Sequence, residues 1–98
     1  MSDIALRLSG PNGTETRLLD SEEAALICRP TTIELLRAIA KEEPASIRET
    51  ARIVERDVRQ VHDNLWTLGE HGFVEFERTG RSRRPFVSYD EIELEIGL

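Results

Sequence analysis

At 98 residues the chain has room for one modest core and little more, and no apolar run approaches the eighteen or so residues of a membrane span. Nothing at its start resembles a signal peptide, so the expectation is a soluble, intracellular, cytoplasmic protein. A net charge of −6 is unusual for a nucleic-acid binder, since phosphate contacts supply most of the nonspecific affinity, and a single cysteine, Cys28, argues against both an internal disulfide and a cysteine-based metal site.

Residues 3–9 place Ile4, Leu6 and Leu8 in alternation with Ala5 and Arg7, a short strand with one apolar face. Gly10-Pro11-Asn12-Gly13 is a turn signal, and residues 14–19 return as a second, weaker strand. Asp20 or Ser21 caps a short helix over 21–28, with Glu22 and Glu23 in the first turn where the helix dipole favours negative charge. Cys28 reads as a small apolar core or near-core residue. Pro30 stops that helix, and Thr31 or Thr32 caps the next, in which Ile33, Leu35, Leu36 and Ile39 form a broad apolar face to about residue 43.

Pro44 breaks the second helix. Ser46 caps a third, with Glu49 three residues on completing a capping box and Ile47, Ala51 and Val54 facing inward. That helix ends near Glu55 and Arg56 without a glycine, and Asp57 opens a fourth. In the fourth, Val58, Val61, Leu65 and Leu68 recur at helical spacing as one apolar stripe, and Gly72 is suited to a left-handed cap at its end. Arg56, Arg59, Gln60, Asp63 and Thr67 fall on the opposite side, a face that is either solvated or aimed at base edges and phosphates. His62 lies beside the stripe, where a half-buried histidine bonded to a neighbour and a phosphate contact are both open. Trp66, on the other flank, is expected against the N-terminal segment or a second subunit. Two helices joined by a tight turn over 46–72 are how a helix-turn-helix looks in sequence.

Residues 73–78 and 86–89 alternate apolar and polar residues, and the intervening 79–85, TGRSRRP, makes them a hairpin. Arg78, Arg81, Arg83 and Arg84 fall within seven positions, so like charges crowd one tip. Either nearby acids neutralise them or an anionic partner does, and a phosphate backbone or a minor groove is the simplest such partner. At the C-terminus Ile92, Leu94 and Ile96 alternate with Glu91, Glu93 and Glu95, a strand with one apolar and one acidic face. It can pair with the N-terminal strand within one chain or across a two-fold axis.

Helix, helix, helix, strand, basic loop, strand is the order of a winged helix. Ile33-Glu34-Leu35-Leu36-Arg37-Ala38-Ile39, Ser46-Ile47-Arg48-Glu49-Thr50-Ala51, Arg56-Asp57-Val58 with Val61-His62, Leu68-Gly69-Glu70-His71-Gly72-Phe73-Val74, and Arg83-Arg84-Pro85 with Tyr89-Asp90-Glu91-Ile92 carry a closer likeness. Over 31–89 the chain resembles winged helix-turn-helix regulators of the MarR-like and ArsR-like type, and more narrowly a group of small archaeal, mainly haloarchaeal, transcriptional regulators. The resemblance implies an α+β fold with a three-helix core and a β-hairpin wing, to which the alternation at either end of the chain adds short N- and C-terminal strands. Its parts are an N-terminal packing or dimerisation extension over 1–29, a DNA-binding domain over 30–89 and an acidic strand over 90–98. It also implies sequence-specific binding of double-stranded DNA by a homodimer, with the helix at 57–70 in the major groove and the wing at 78–85 on the backbone or in the minor groove. The residues so assigned are Ser46, Arg48, Arg56, Arg59, Gln60, Asp63, Arg81, Arg83 and Arg84.

Only Lys41 among thirteen basic residues is a lysine, and the acid excess is mostly glutamate, a pattern that suits a high-salt cytoplasm. A GC-rich genome favours arginine over lysine too. No nucleophile–histidine arrangement, phosphate-cradling glycine loop or metal-ligand spacing is present, so no enzymatic activity and no cofactor or metal is expected. The competing reading is a protein-interaction module, such as the antitoxin partner of a toxin that represses its own operon.

Overall fold

The structure is a computed structural model that describes residues 3–98; residues 1 and 2, the start of the expected N-terminal extension, lie outside them. The chain divides into two compact units. One is Pro30–Val87, and the other joins the residues up to Arg29 with Ser88–Leu98.

In the second of these, β1 (Ile4–Gly10) turns through Pro11 and Asn12 into β2 (Gly13–Leu19), and α1 (Ser21–Ile27) follows. The C-terminal strand β5 (Glu91–Ile96) pairs antiparallel with β1 in the same chain, so the sheet order is β2-β1-β5. The register sets Ile92, Leu94 and Ile96 opposite Leu8, Leu6 and Ile4. This gathers the apolar residues of both strands on one face, while Glu91, Glu93 and Glu95 share the other with Ser9, Arg7 and Ala5. Arg7 donates to Glu93 at 3.1 Å, and that bond, ahead of the general field of Glu93 and Glu95, holds its guanidinium pKa above the ordinary value. Burial pushes the Tyr89 phenol up to about 12, against the opposing influence of Arg17.

Asp20 caps α1: its carboxylate accepts the Glu23 N–H at 2.8 Å and the Glu23 carboxylate accepts the Asp20 N–H in return. Ala24, Leu26 and Ile27 are buried, whereas Cys28, expected in or near the core, is exposed. It stands at the C-cap, one residue beyond the buried turn.

The unit Pro30–Val87 holds α2 (Pro30–Glu42), α3 (Ile47–Ile53), α4 (Val58–Glu70), β3 (Glu75–Thr79) and β4 (Ser82–Phe86). Pro30 begins α2 rather than ending its predecessor, because a fixed φ and a missing N–H both suit the first helical position. Thr31 and Thr32 therefore sit inside the first turn and do not cap it. The buried face of α2 is Thr32, Leu35, Leu36 and Ile39, and Ile33 is exposed. α3 packs on α4 and α2, and β4 packs against α2 and α3. Phe73, Leu35, Leu65, Leu68 and Val61 fill the centre, each with 1% exposure or less. Three helices followed by a two-stranded hairpin make this unit a winged helix, and the whole chain is α+β.

Candidate nucleic-acid interface

Ser46 caps α3 as its sequence requires, its Oγ accepting the Glu49 N–H at 3.0 Å. The reciprocal half of the expected capping box is absent: the Glu49 carboxylate lies 3.9 Å from the Arg52 guanidinium, one turn along. Arg48, beside it in the first turn, is exposed and forms no ion pair among the described residues.

The turn into α4 has no glycine. Val54 is the C-cap, and Glu55 takes a left-handed φ of 55°. The Arg56 N–H then reaches the Ala51 carbonyl at 3.0 Å and the Glu55 N–H reaches Arg52 at 3.2 Å, the paired bonds of a Schellman ending. This reversal carries Arg56 back over α4. Its Nη2 donates to Asn64 Oδ1 at 2.7 Å, and its Nη1 is buried without an acceptor among the described residues. Arg56, assigned to DNA from its sequence position, is therefore a strut between the turn and α4.

Asp57 caps α4 by accepting the Gln60 N–H at 3.2 Å. Val61, Leu65 and Leu68 are buried, but Val58, the expected fourth member of the stripe, is 39% exposed because it occupies the first helical position, ahead of the packed turns. Arg59, Gln60, Asp63 and Thr67 are exposed as the helical period requires. Arg59 is in no ion pair among the described residues, whereas Thr67 Oγ1 donates to its own helix at the Asp63 carbonyl, 3.1 Å away. At the far end Gly72, with a φ of 75°, provides the left-handed residue of a second Schellman ending.

The wing is tighter than the sequence suggests. Thr79 pairs with Ser82, so Gly80 (φ 63°) and Arg81 form a two-residue turn in which glycine at the first central position adopts the conformation other residues avoid. Arg83 and Arg84, expected in a loop, lie in β4, and residues 87–89, expected as strand, lie beyond it. Alternation then sends the two arginines to opposite faces. Arg84 pairs with Glu77 at 3.2 Å and stacks over Phe86, its guanidinium carbon 5.1 Å from the ring centroid, so it is neutralised inside the hairpin. Arg83 shares its face with Phe76 and stands directly opposite Arg78.

That face meets α4. The Phe76 ring covers Gly69 so closely that a Cβ there would come within 2.7 Å of it. Trp66 stacks on His62 with ring centroids 6.1 Å apart and planes 7° from parallel, lies 6.3 Å from Phe76, and carries the Arg83 guanidinium 5.5 Å from its own centroid. These partners of Trp66 all lie in its own unit, whereas the expectation from sequence is the N-terminal segment or a second subunit. His62 is exposed, beside the Asp63 carboxylate at 3.5 Å. His62, Asp63, Trp66, Thr67 and Arg83 line an open depression of ≈520 Å³ between helix and wing.

Of the nine residues singled out from the sequence, Arg48, Arg59, Gln60, Asp63, Arg81 and Arg83 are exposed, Ser46 is occupied as a cap, and Arg56 and Arg84 are engaged internally. Arg78 and Val58 join the exposed set. Among the described residues Arg48, Arg59, Arg78, Arg81 and Arg83 make no ion pair. No group of three or more histidine, cysteine, aspartate or glutamate side chains suited to a metal ion occurs among the described residues, and none of their helices is long and apolar enough to cross a membrane.

A crystal structure described as the predicted DNA-binding transcriptional regulator from E. coli has the same fold at a TM-score of 0.61 and 16% identity, over 71% of this chain and 78% of that one. No curated protein matches the chain. The model of the HVO_A0114 family matches residues 27–94, which include the whole winged helix and most of β5, and the chain belongs to that family.

Proposed function

We propose that the protein is a transcriptional regulator that binds double-stranded DNA in a sequence-specific manner as a homodimer in a salt-rich cytoplasm, in the manner of MarR-like and ArsR-like regulators. The observation that carries the reading is the set of five arginines that have no carboxylate partner among the described residues, Arg48, Arg59, Arg78, Arg81 and Arg83, on the third and fourth helices and the wing of a winged helix. Isolated guanidinium groups on one fold unit suit a row of phosphates, and the planar fork of each suits bidentate contact. The neighbour from E. coli is itself described as a predicted DNA-binding transcriptional regulator.

In this reading the first turns of α4 enter the major groove. Arg59 and Gln60 hydrogen-bond to base edges, Asp63 accepts from cytosine amino groups, and the exposed Val58 meets thymine methyls. Arg78, Arg81 and Arg83 hold the backbone or a minor groove, and Arg48 with the Ser46 hydroxyl touches phosphate at the start of α3. Arg56 and Arg84 contribute through the shape of the turn and of the hairpin.

Selection of bound sequences from a random DNA pool across a range of potassium chloride tests this, with Arg59→Ala/Gln60→Ala and Arg78→Ala/Arg83→Ala run beside the wild type. The expected result is an inverted repeat with half-sites about ten base pairs apart, a changed preference in the helix variant and a uniform loss of affinity in the wing variant. A wild type that enriches no sequence at any salt concentration refutes the reading and moves the search to a protein partner.

A further inference from the structure

The β2-β1-β5 sheet has two open edges, and they differ in what they accept. The edge of β5 carries Glu91, Glu93 and Glu95 on one face, so any antiparallel pairing with its own copy sets glutamate against glutamate, a common guard against edge-to-edge association. The edge of β2 has no such guard. All seven of its residues pair with β1 without a bulge, it contains no proline or lysine, and no strand among the described residues covers its other side.

The charges of β2 also choose a register. Glu15 and Arg17 lie on the same face two residues apart and already contact one another at 2.8 Å. A two-fold axis perpendicular to the sheet must match residues of the same face. Centred on Thr16, it sets Glu15 opposite the partner's Arg17 and Arg17 opposite the partner's Glu15, while centring on Glu15 or Arg17 opposes like charges. On the other face the Thr16 register lays Leu18, 71% exposed, against the partner's Thr14. Opposite charges directly across a strand pair stabilise it, and an isologous contact requires a self-complementary patch of this kind.

We infer that β2 is the dimerisation edge: two copies join antiparallel about Thr16 into one six-stranded sheet, β5-β1-β2 continuing into the partner's β2-β1-β5. The inference deepens the dimeric part of the function proposed above and does not depend on DNA. One strand edge is smaller than the roughly 800 Å² per partner of a standard interface, so the dimer dissociates measurably on dilution.

Sedimentation equilibrium of the full chain without DNA, at high potassium chloride to screen the acidic residues, tests it. The wild type reaches twice the 11.2 kDa chain mass with rising concentration. Glu15→Arg alone and Arg17→Glu alone each fall to the single mass, and an equimolar mixture of the two regains the dimer mass, which a misfolded variant does not do. In a Cys28→Ser background, Thr16→Cys oxidises to a covalent dimer and Glu93→Cys, on the β5 edge, does not. A wild type that stays monomeric, charge variants that stay dimeric, or preferential cross-linking through β5 overturns the inference. Arg78→Ala/Arg83→Ala leaves the mass unchanged, so failure of DNA binding and failure of this interface are read separately.

Discussion

At Arg78 the proposed DNA contact and the stability of the wing can be separated. It stands opposite Arg83 across the wing, with no carboxylate among the described residues paired to either. Like charges directly opposite one another in a sheet destabilise it by roughly 0.2–1 kcal/mol, less as salt is added. Removing Arg83 also removes its stacking on Trp66, itself about 0.5–1 kcal/mol at an exposed site, so the two effects cancel there. Removing Arg78 relieves the repulsion alone. For Arg78→Ala we expect a gain of about 0.5 kcal/mol at low salt, which raises the melting temperature of a domain this size by roughly 2–4 °C. The gain fades in high salt. DNA affinity moves the other way, falling by a similar factor on every sequence, with the salt slope reduced by about one per protomer. Thermal melting by circular dichroism and fluorescence anisotropy over a potassium chloride series read the two quantities on one preparation. A fall in melting temperature together with unchanged DNA affinity refutes the assignment, because it makes Arg78 a structural residue of the wing.

Arg56→Ala breaks the 2.7 Å bond to Asn64, a charge-assisted contact, and should lower unfolding free energy by about 1–2 kcal/mol in urea titration while leaving the selected DNA sequence unchanged. Glu55→Gly should raise the urea midpoint, because at φ 55° a glycine avoids roughly 1 kcal/mol of left-handed strain, partly offset by its extra freedom when unfolded. With the Tyr89 phenol pushed up to about 12, the unfolded chain releases that proton first as pH rises past 10; stability is constant with respect to this group below 10 and falls by at most roughly 2 kcal/mol towards 12, a slope that Tyr89→Phe removes in urea titrations below and above pH 10. If the proposed function holds, affinity for the selected DNA sequence depends on potassium chloride less steeply than about four to eight phosphate contacts per dimer imply, measured by anisotropy, because base contacts then hold the complex in high salt.

Local signals were the readable ones. The apolar period of α4, the Ser46 cap and the left-handed Gly72 each depend on residues within one or two turns of one another, and they suffice to order three helices and a hairpin. The β1–β5 pairing was also visible as two complementary apolar faces, although only the structure places both strands in the same chain. The direction of single side chains was not readable. Nothing near Arg56 announces that Glu55 turns left-handed and swings it onto Asn64, since glycine is the usual signal and is missing. In the wing, placing Arg83 and Arg84 in a loop left their directions open. The Gly80-Arg81 turn puts both in a strand, and strand parity then separates a stacked, unpaired Arg83 from a neutralised Arg84. The period that buries Val61, Leu65 and Leu68 points Val58 to the core as well, but it does not extend to the first position of the helix.

The net charge of −6 is the feature most at odds with DNA binding, and the two units divide it unevenly. Pro30–Val87 contains ten basic and ten acidic residues, whereas the remainder contains three basic and nine acidic, so the whole excess belongs to the unit built on the β2-β1-β5 sheet. Within the winged helix the balance is local as well. Glu49 and Glu77 lie against Arg52 and Arg84, and the other arginines of the third and fourth helices and the wing, apart from the Asn64-bound Arg56, are left uncompensated. At molar salt the Debye length is about 3 Å, so a guanidinium responds to the groups it touches and hardly at all to the sum over the chain. Under that condition an acidic unit costs the proposed interface little, and the reading turns on whether each arginine already has a carboxylate of its own. On the third and fourth helices and the wing, Arg48, Arg59, Arg78, Arg81 and Arg83 have none among the described residues.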